Sequence, residues 1–126
     1  MAFEHLLAAR VTRKHRDGVS VTLPLRPDLL NSQGVLHGGA IASLVDEAAW
    51  YAIRHHFQEE RRCTTTELKV NYLRPIAGKK AVARAVLLRA GRTLCVTRVD
   101  VFDEEKRLAA TAIVTYMLLN STQEVS

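Results

Sequence analysis

At 126 residues, 48% of them apolar and 25% charged, the chain has the size and balance of one globular core, which excludes a disordered or fibrous segment. A formal charge of +5 favours anionic partners, but the basic residues are scattered and form no tail of the nucleic-acid-binding kind. Two cysteines, Cys63 and Cys95, without CxxC spacing argue against a zinc site or a disulfide framework, and nowhere do enough apolar residues run together to span a membrane. We therefore expect a single domain over residues 1–126, cytoplasmic, with no metal or organic cofactor and no membrane or nucleic-acid partner. A chain this short buries a modest fraction of its surface, so a second copy covering a leftover apolar face is a natural expectation.

A short helical turn over Ala2 to Leu7 opens the chain. Asp17-Gly18 is a turn dipeptide, followed by the alternation Val19, Val21, Leu23, Leu25 of a half-buried strand, with Ala8 to His15 as its hairpin partner. Pro24 and Pro27 break regularity, and Arg26 to Leu36 reads as a loop. After Gly38-Gly39, the residues Ile41, Leu44, Val45, Ala48, Ala49 and Ala52 recur at helical spacing, and apolar neighbours on both flanks predict a helix buried over more than one face. His55-His56 at its end, where the two rings diverge by about 100°, are read as partners of the helix dipole and not as metal ligands.

Four period-2 stretches follow: Thr64 to Leu73, Ala81 to Arg89, Thr93 to Phe102 and Leu108 to Leu119. The turn signals between them, at Pro75 to Gly78, Ala90-Gly91 and Asp103 to Lys106, are short enough for antiparallel neighbours and too short for parallel crossovers. A buried helix must be covered by something apolar, which predicts an α+β fold with the curled antiparallel sheet of five to six strands wrapped around one long central helix. The tail from Asn120 to Ser126 is polar and expected to fray.

Chemistry concentrates where the loop enters the helix, in Asn31, Gln33, Gly34, His37, Gly38, Gly39 and then Asp46. Paired glycines at a helix start offer unpartnered backbone N–H groups and the positive end of the dipole, where a developing oxyanion could sit. Asp46 is a carboxylate in the otherwise apolar run LVDEAAW. It could simply pair with an arginine, but beside Trp50 it would be weakly solvated, as a nucleophile or general base needs to be. Glu47 points about 100° away and reads as a solvated or salt-bridged residue.

The pattern Asn31-x-x-Gly34-x-x-His37-Gly38-Gly39, with Asp46 seven residues beyond the second glycine, resembles the signature of hotdog-fold acyl-CoA thioesterases of the phenylacetate-degradation type. TTTELKVNYLRP (Thr64 to Pro75) and GRTLCVTRVDVFDEEKRLAAT are similar to that family's strand after the helix and its late strands. The resemblance implies hydrolysis of an aryl- or medium-chain acyl-CoA by a homodimer or dimer-of-dimers tetramer with active sites at the subunit interface. Asp46 would attack the thioester or activate water. The Gly38 and Gly39 amides would hold the carbonyl oxygen. Asn31 and His37 would come from the partner subunit, and Thr65 would hold the water, with Thr64 and Thr66 as neighbouring alternatives. His37 has a plainer reading, a hydrogen bond to loop backbone. Gln33, Trp50, Arg74 and Arg92 are candidates for substrate binding, the arginines toward coenzyme A phosphates. Trp50, Tyr51 and Tyr72 hint at stacking on an acyl ring. The rivals are a hotdog acyl-thioester hydratase or dehydratase, a non-catalytic acyl-CoA-binding module and nucleic-acid binding by the basic surface.

Overall fold

The computed structural model describes residues 2–119; the tail from Asn120 to Ser126 lies outside the described residues. In chain order the elements are α1 (Phe3–Leu7), β1 (Arg10–His15), β2 (Gly18–Pro24), a 3-10 turn (Pro27–Leu29), α2 (Gly38–Phe57), β3 (Cys63–Tyr72), β4 (Lys80–Ala90), β5 (Leu94–Asp103) and β6 (Leu108–Leu118). The six strands form one antiparallel sheet in the order β1-β2-β4-β5-β6-β3. Irregularities in register at Val11/Arg13, Thr65/Glu67, Leu87/Arg89 and Val101/Phe102 add curvature to it, as bulges do.

The sheet curls around α2, the expected architecture. Ile41, Leu44, Val45, Ala48, Ala49, Ala52 and Ile53 of the helix are buried. They face the inward residues of the strands: Val19, Val21 and Leu23 of β2, Ala81, Ala83 and Ala85 of β4, Val99 and Val101 of β5, and Ala112 and Val114 of β6. The many alanines on both sides let helix and sheet approach closely, and the larger side chains fill the remaining space at about 1.5–3 kcal/mol each. Gly18 marks the tightest approach between strands, since a Cβ there would stand 1.8 Å from the Ala85 carbonyl oxygen.

Helix ends follow local chemistry. At the N-terminus the His37 ring caps the helix, and at the C-terminus Gln58 takes the left-handed conformation (φ 61°). His55 Nε2–H donates to the His15 carbonyl at 2.8 Å, tying the helix end to β1.

Two expectations are corrected. The helix, expected to be buried over more than one face, keeps one side uncovered: Gly39, Ser43, Asp46, Glu47, Trp50 and Arg54 form an open or half-open stripe along it. And β3 and β4 are not neighbours. The connection after β3 crosses the end of the sheet, and β3 pairs with β6 at the far edge. That connection is not a hairpin turn because Ile76 is fully buried, the Leu73 and Arg74 amides donate to Ala109 O, and the Ile76 carbonyl accepts from Leu36 N–H. At roughly 3.3 Å per residue such a stretch spans the three strand spacings it must cover. Among the described residues no helix is long and apolar enough to cross a membrane.

Candidate active site

Asp46 sits on the open stripe of α2, one side of a cavity of about 330 Å³ lined by Phe3, Glu4, Ser43, Glu47, Trp50, Cys63, Thr64, Thr65 and Tyr116. Two hydroxyls converge on one of its oxygens. Thr65 Oγ1–H donates to Asp46 Oδ1 at 2.8 Å, and the Tyr116 hydroxyl lies 2.9 Å from the same oxygen and 3.0 Å from the Asp46 backbone carbonyl. They meet because Thr65 and Tyr116 are register partners on β3 and β6, with side chains on the same inner face. No other group among the described residues donates to either carboxylate oxygen, so Oδ2 is left to the cavity.

The three neighbouring threonines have different surroundings. Thr65 touches Asp46, Thr66 Oγ1–H donates to the Thr115 carbonyl at 3.2 Å, and Thr64 lines the cavity. Tyr116 was missed in sequence. Its signal was an aromatic hydroxyl on the inward phase of the β6 alternation, where a buried Tyr O–H must find a partner.

Glu47 is not the solvated or salt-bridged residue expected. Its Oε1 is buried without a hydrogen-bond partner among the described residues. Burial, then the nearby Glu4 and Asp46 carboxylates, push its pKa up to about 7.

The loop-to-helix residues are arranged differently from Asp46. His37 Nδ1 accepts from the Gly39 N–H at 2.8 Å, so the ring is unprotonated at that nitrogen and the Gly39 amide is already engaged. The Ala40 and Ile41 amides donate to the His37 carbonyl, leaving Gly38 N–H as the first-turn donor for which the described residues supply no acceptor. Asn31 Oδ1 accepts from the Gln33 and Val35 amides at 2.9 and 3.3 Å, which folds the loop back on itself. Gln33 is exposed on that loop. His37 and Gly39 line a second hollow of about 250 Å³, which shares only Phe3 and Ser43 with the cavity at Asp46.

Of the aromatic candidates, only Trp50 reaches the Asp46 cavity, with Arg54 stacked 5.6 Å over its ring. Tyr51 faces a different hollow beside Lys14 and His55, and the Tyr72 hydroxyl donates to the Gly38 carbonyl at 2.9 Å. Arg74 and Arg92 are both exposed but lie at opposite ends of the sheet. The first follows the Tyr72↔Ala110 pair and the second precedes Leu94↔Met117, so within one chain they cannot grip one phosphate cluster. Among the described residues no three His, Cys, Asp or Glu side chains gather as metal ligands would.

A carboxylate with one oxygen tethered and one free, beside apolar and aromatic wall, suits attack on or hydration of a carbonyl compound. Comparisons with known proteins fit this chemistry. The chain is 33% identical to the medium/long-chain acyl-CoA thioesterase YigI of Escherichia coli, over 94% of this chain and 86% of that protein. Its structure resembles thioesterase HI1161 from Haemophilus influenzae, with a TM-score of 0.90 and 24% identity over 99% of this chain and 87% of that one. It also resembles a mutant of the phenylacetic acid degradation protein PaaI from Thermus thermophilus, with a TM-score of 0.81 and 26% identity over 93% and 98%. Residues 33–110 match the family described as the thioesterase superfamily. Since that match takes in the end of the loop, α2 and most of the sheet, the chain belongs to the thioesterase superfamily and is a hotdog-fold thioester hydrolase.

Proposed function

We propose that the protein hydrolyses acyl-CoA thioesters to the free acid and coenzyme A, with Asp46 as nucleophile or general base. The observation that carries the reading is the Asp46 carboxylate held through Oδ1 by Thr65 and Tyr116 at the wall of a cavity that Phe3 and Trp50 make partly apolar. Oδ2 either attacks the thioester carbon or takes a proton from the water that does. Negative charge then moves to the carbonyl oxygen, the C–S bond breaks, and the thiolate leaves and is protonated; water supplies the oxygen of the acid.

The helix geometry supports a site built from two copies. Gly39 and Asp46 lie seven residues apart on α2, roughly 10 Å along its axis. The N–H groups of a first turn point away from the helix body, so an oxygen bound by Gly38 or Gly39 lies farther still from Asp46. One carbonyl cannot meet both in a single chain. A second copy supplies the other half: the Gly38 amide, with Gly39 wherever the His37 ring yields, and Asn31 and His37 beside them. In this reading β3, an edge strand with its outer side unpaired, joins the two sheets. Gln33, Arg74 and Arg92 then belong to the route of the coenzyme A moiety, with the two arginines serving different copies. The free Cys63 and Cys95 thiols suit a reduced, cytoplasmic setting.

The test is thiol release from a panel of aryl- and alkyl-acyl-CoA esters, comparing native protein with Asp46→Asn, its fold checked by circular dichroism. The expected loss is at least about a hundredfold in turnover with ester binding retained. Binding of the esters without cleavage by the native protein would replace the enzyme reading with an acyl-CoA-binding module.

A further inference from the structure

We infer that Tyr116 is a positioning residue, whose hydroxyl, together with that of Thr65, fixes Asp46 Oδ1 so that Oδ2 is the oxygen presented to the thioester. The inference rests on the reading of Asp46 given above and adds which oxygen reacts and what selects it.

The two tethers differ in kind. Thr65 is exposed on the edge strand, and its hydroxyl reaches the Asp46 carboxylate from the open side. Tyr116 is 5% exposed, on a strand flanked by β5 and β3, so its ring has no room to swing. Its hydroxyl stands between Asp46 Oδ1 and the Asp46 backbone carbonyl, at 2.9 and 3.0 Å, and shares one proton between them. That shared proton locks the carboxylate to its own backbone. A turn about the side-chain bonds of Asp46 that brought Oδ1 into the cavity would break the Tyr116 and Thr65 contacts to that oxygen at once.

Burial, together with the adjacent Asp46 carboxylate, pushes ionisation of the Tyr116 phenol far above its ordinary range. The hydroxyl is therefore protonated, and a donor, at neutral pH. With both donors engaged on Oδ1, Oδ2 keeps its lone pairs uncommitted and fixed in direction. Tyr116 lines the cavity at Asp46 and not the second hollow at His37, so ester binding measured apart from turnover separates action through Asp46 from direct contact with the ester.

The experiment is Tyr116→Phe, which keeps the ring and its packing and removes only the hydroxyl. Using the acyl-CoA ester that the native protein cleaves fastest, kcat is expected to fall about ten- to hundredfold while KM stays within about twofold. In the Asp46→Asn background, where the ester is held but not cleaved, Tyr116→Phe is expected to leave the Kd of that ester unchanged. A Tyr116→Phe protein that turns over within about twofold of native overturns the inference and leaves the thioesterase reading standing. So does a Kd that weakens in step with the loss of kcat, which would make Tyr116 a substrate contact. A native protein with no turnover on any ester removes the thioesterase reading, and this inference with it.

Discussion

Glu47→Gln provides a test of the electrostatics beside Asp46 that needs no substrate. In the folded chain Glu47 titrates near pH 7 against an ordinary value of 4.5, because burial and two neighbouring carboxylates disfavour its charge. The sign follows from linkage: the folded state holds this proton more tightly than the unfolded chain, so stability falls as pH rises from about 4.5 to about 7 and is lower by the full amount above that. At about 1.4 kcal/mol for each tenfold change in proton affinity, the whole rise corresponds to roughly 3 kcal/mol, and the partly solvated side chain reduces this to about 1–2 kcal/mol. Glutamine matches the neutral acid in shape and cannot ionise. The variant and native proteins should therefore melt alike near pH 4, and at pH 8 the variant should melt about 3–6 °C higher. Thermal melts across that range at one fixed protein concentration read the difference, since association also moves Tm. A gap that stays constant with pH, or a native protein that is the more stable at pH 8, would refute the assigned burial of Glu47.

Two further outcomes check the frame that carries the site. Gly18→Ala places a Cβ 1.8 Å from the Ala85 oxygen and 2.9 Å from its carbonyl carbon, which only parting β2 from β4 can relieve; we expect a loss of more than about 3 kcal/mol in urea unfolding. Asp103 accepts from the Glu105 and Arg107 amides and from Arg107 Nε, and these donors, with the Arg107 backbone foremost, hold its pKa below the ordinary carboxylate range. Its contribution is therefore present at neutral pH and lost as pH falls through the lowered value. Asp103→Asn should accordingly melt below the native protein at pH 7, by a gap that narrows on acidification.

Much of this architecture was legible in the chain. The helix was, because Ile41, Leu44, Val45, Ala48, Ala49 and Ala52 repeat at its own period. The strands were, because Val19, Val21 and Leu23, or Ala110, Ala112 and Val114, alternate with polar or half-exposed neighbours. Strand order was not. The stretch Leu73 to Lys79 has hairpin-like composition, and only the burial of Ile76 beneath the loop before α2 reveals that it carries the chain across the sheet end. Asp46 stood out as a charge in an apolar run, whereas Tyr116 could be read only as another inward residue. Its partnership with Thr65 is a property of register between β3 and β6, 51 residues apart in the chain, which no local pattern encodes.

In the function proposed above, the carboxylate and the oxyanion donors are held by one rigid element and yet are used by different copies. A helix places Gly38 and Asp46 at fixed separation, so neither can drift when the other is loaded, and the sheet that wraps it fixes Oδ1 from behind through Tyr116. The same rigidity prevents the two from closing on one thioester. In the proposed symmetric pair each copy would offer its helix start to the other's Asp46, and two equivalent sites would form together. That proposal ties catalytic competence to assembly. On that proposal a lone chain would retain the tethered carboxylate and its cavity but lack a stabilised place for the carbonyl oxygen, and its chemistry should fall with dilution well before its fold does.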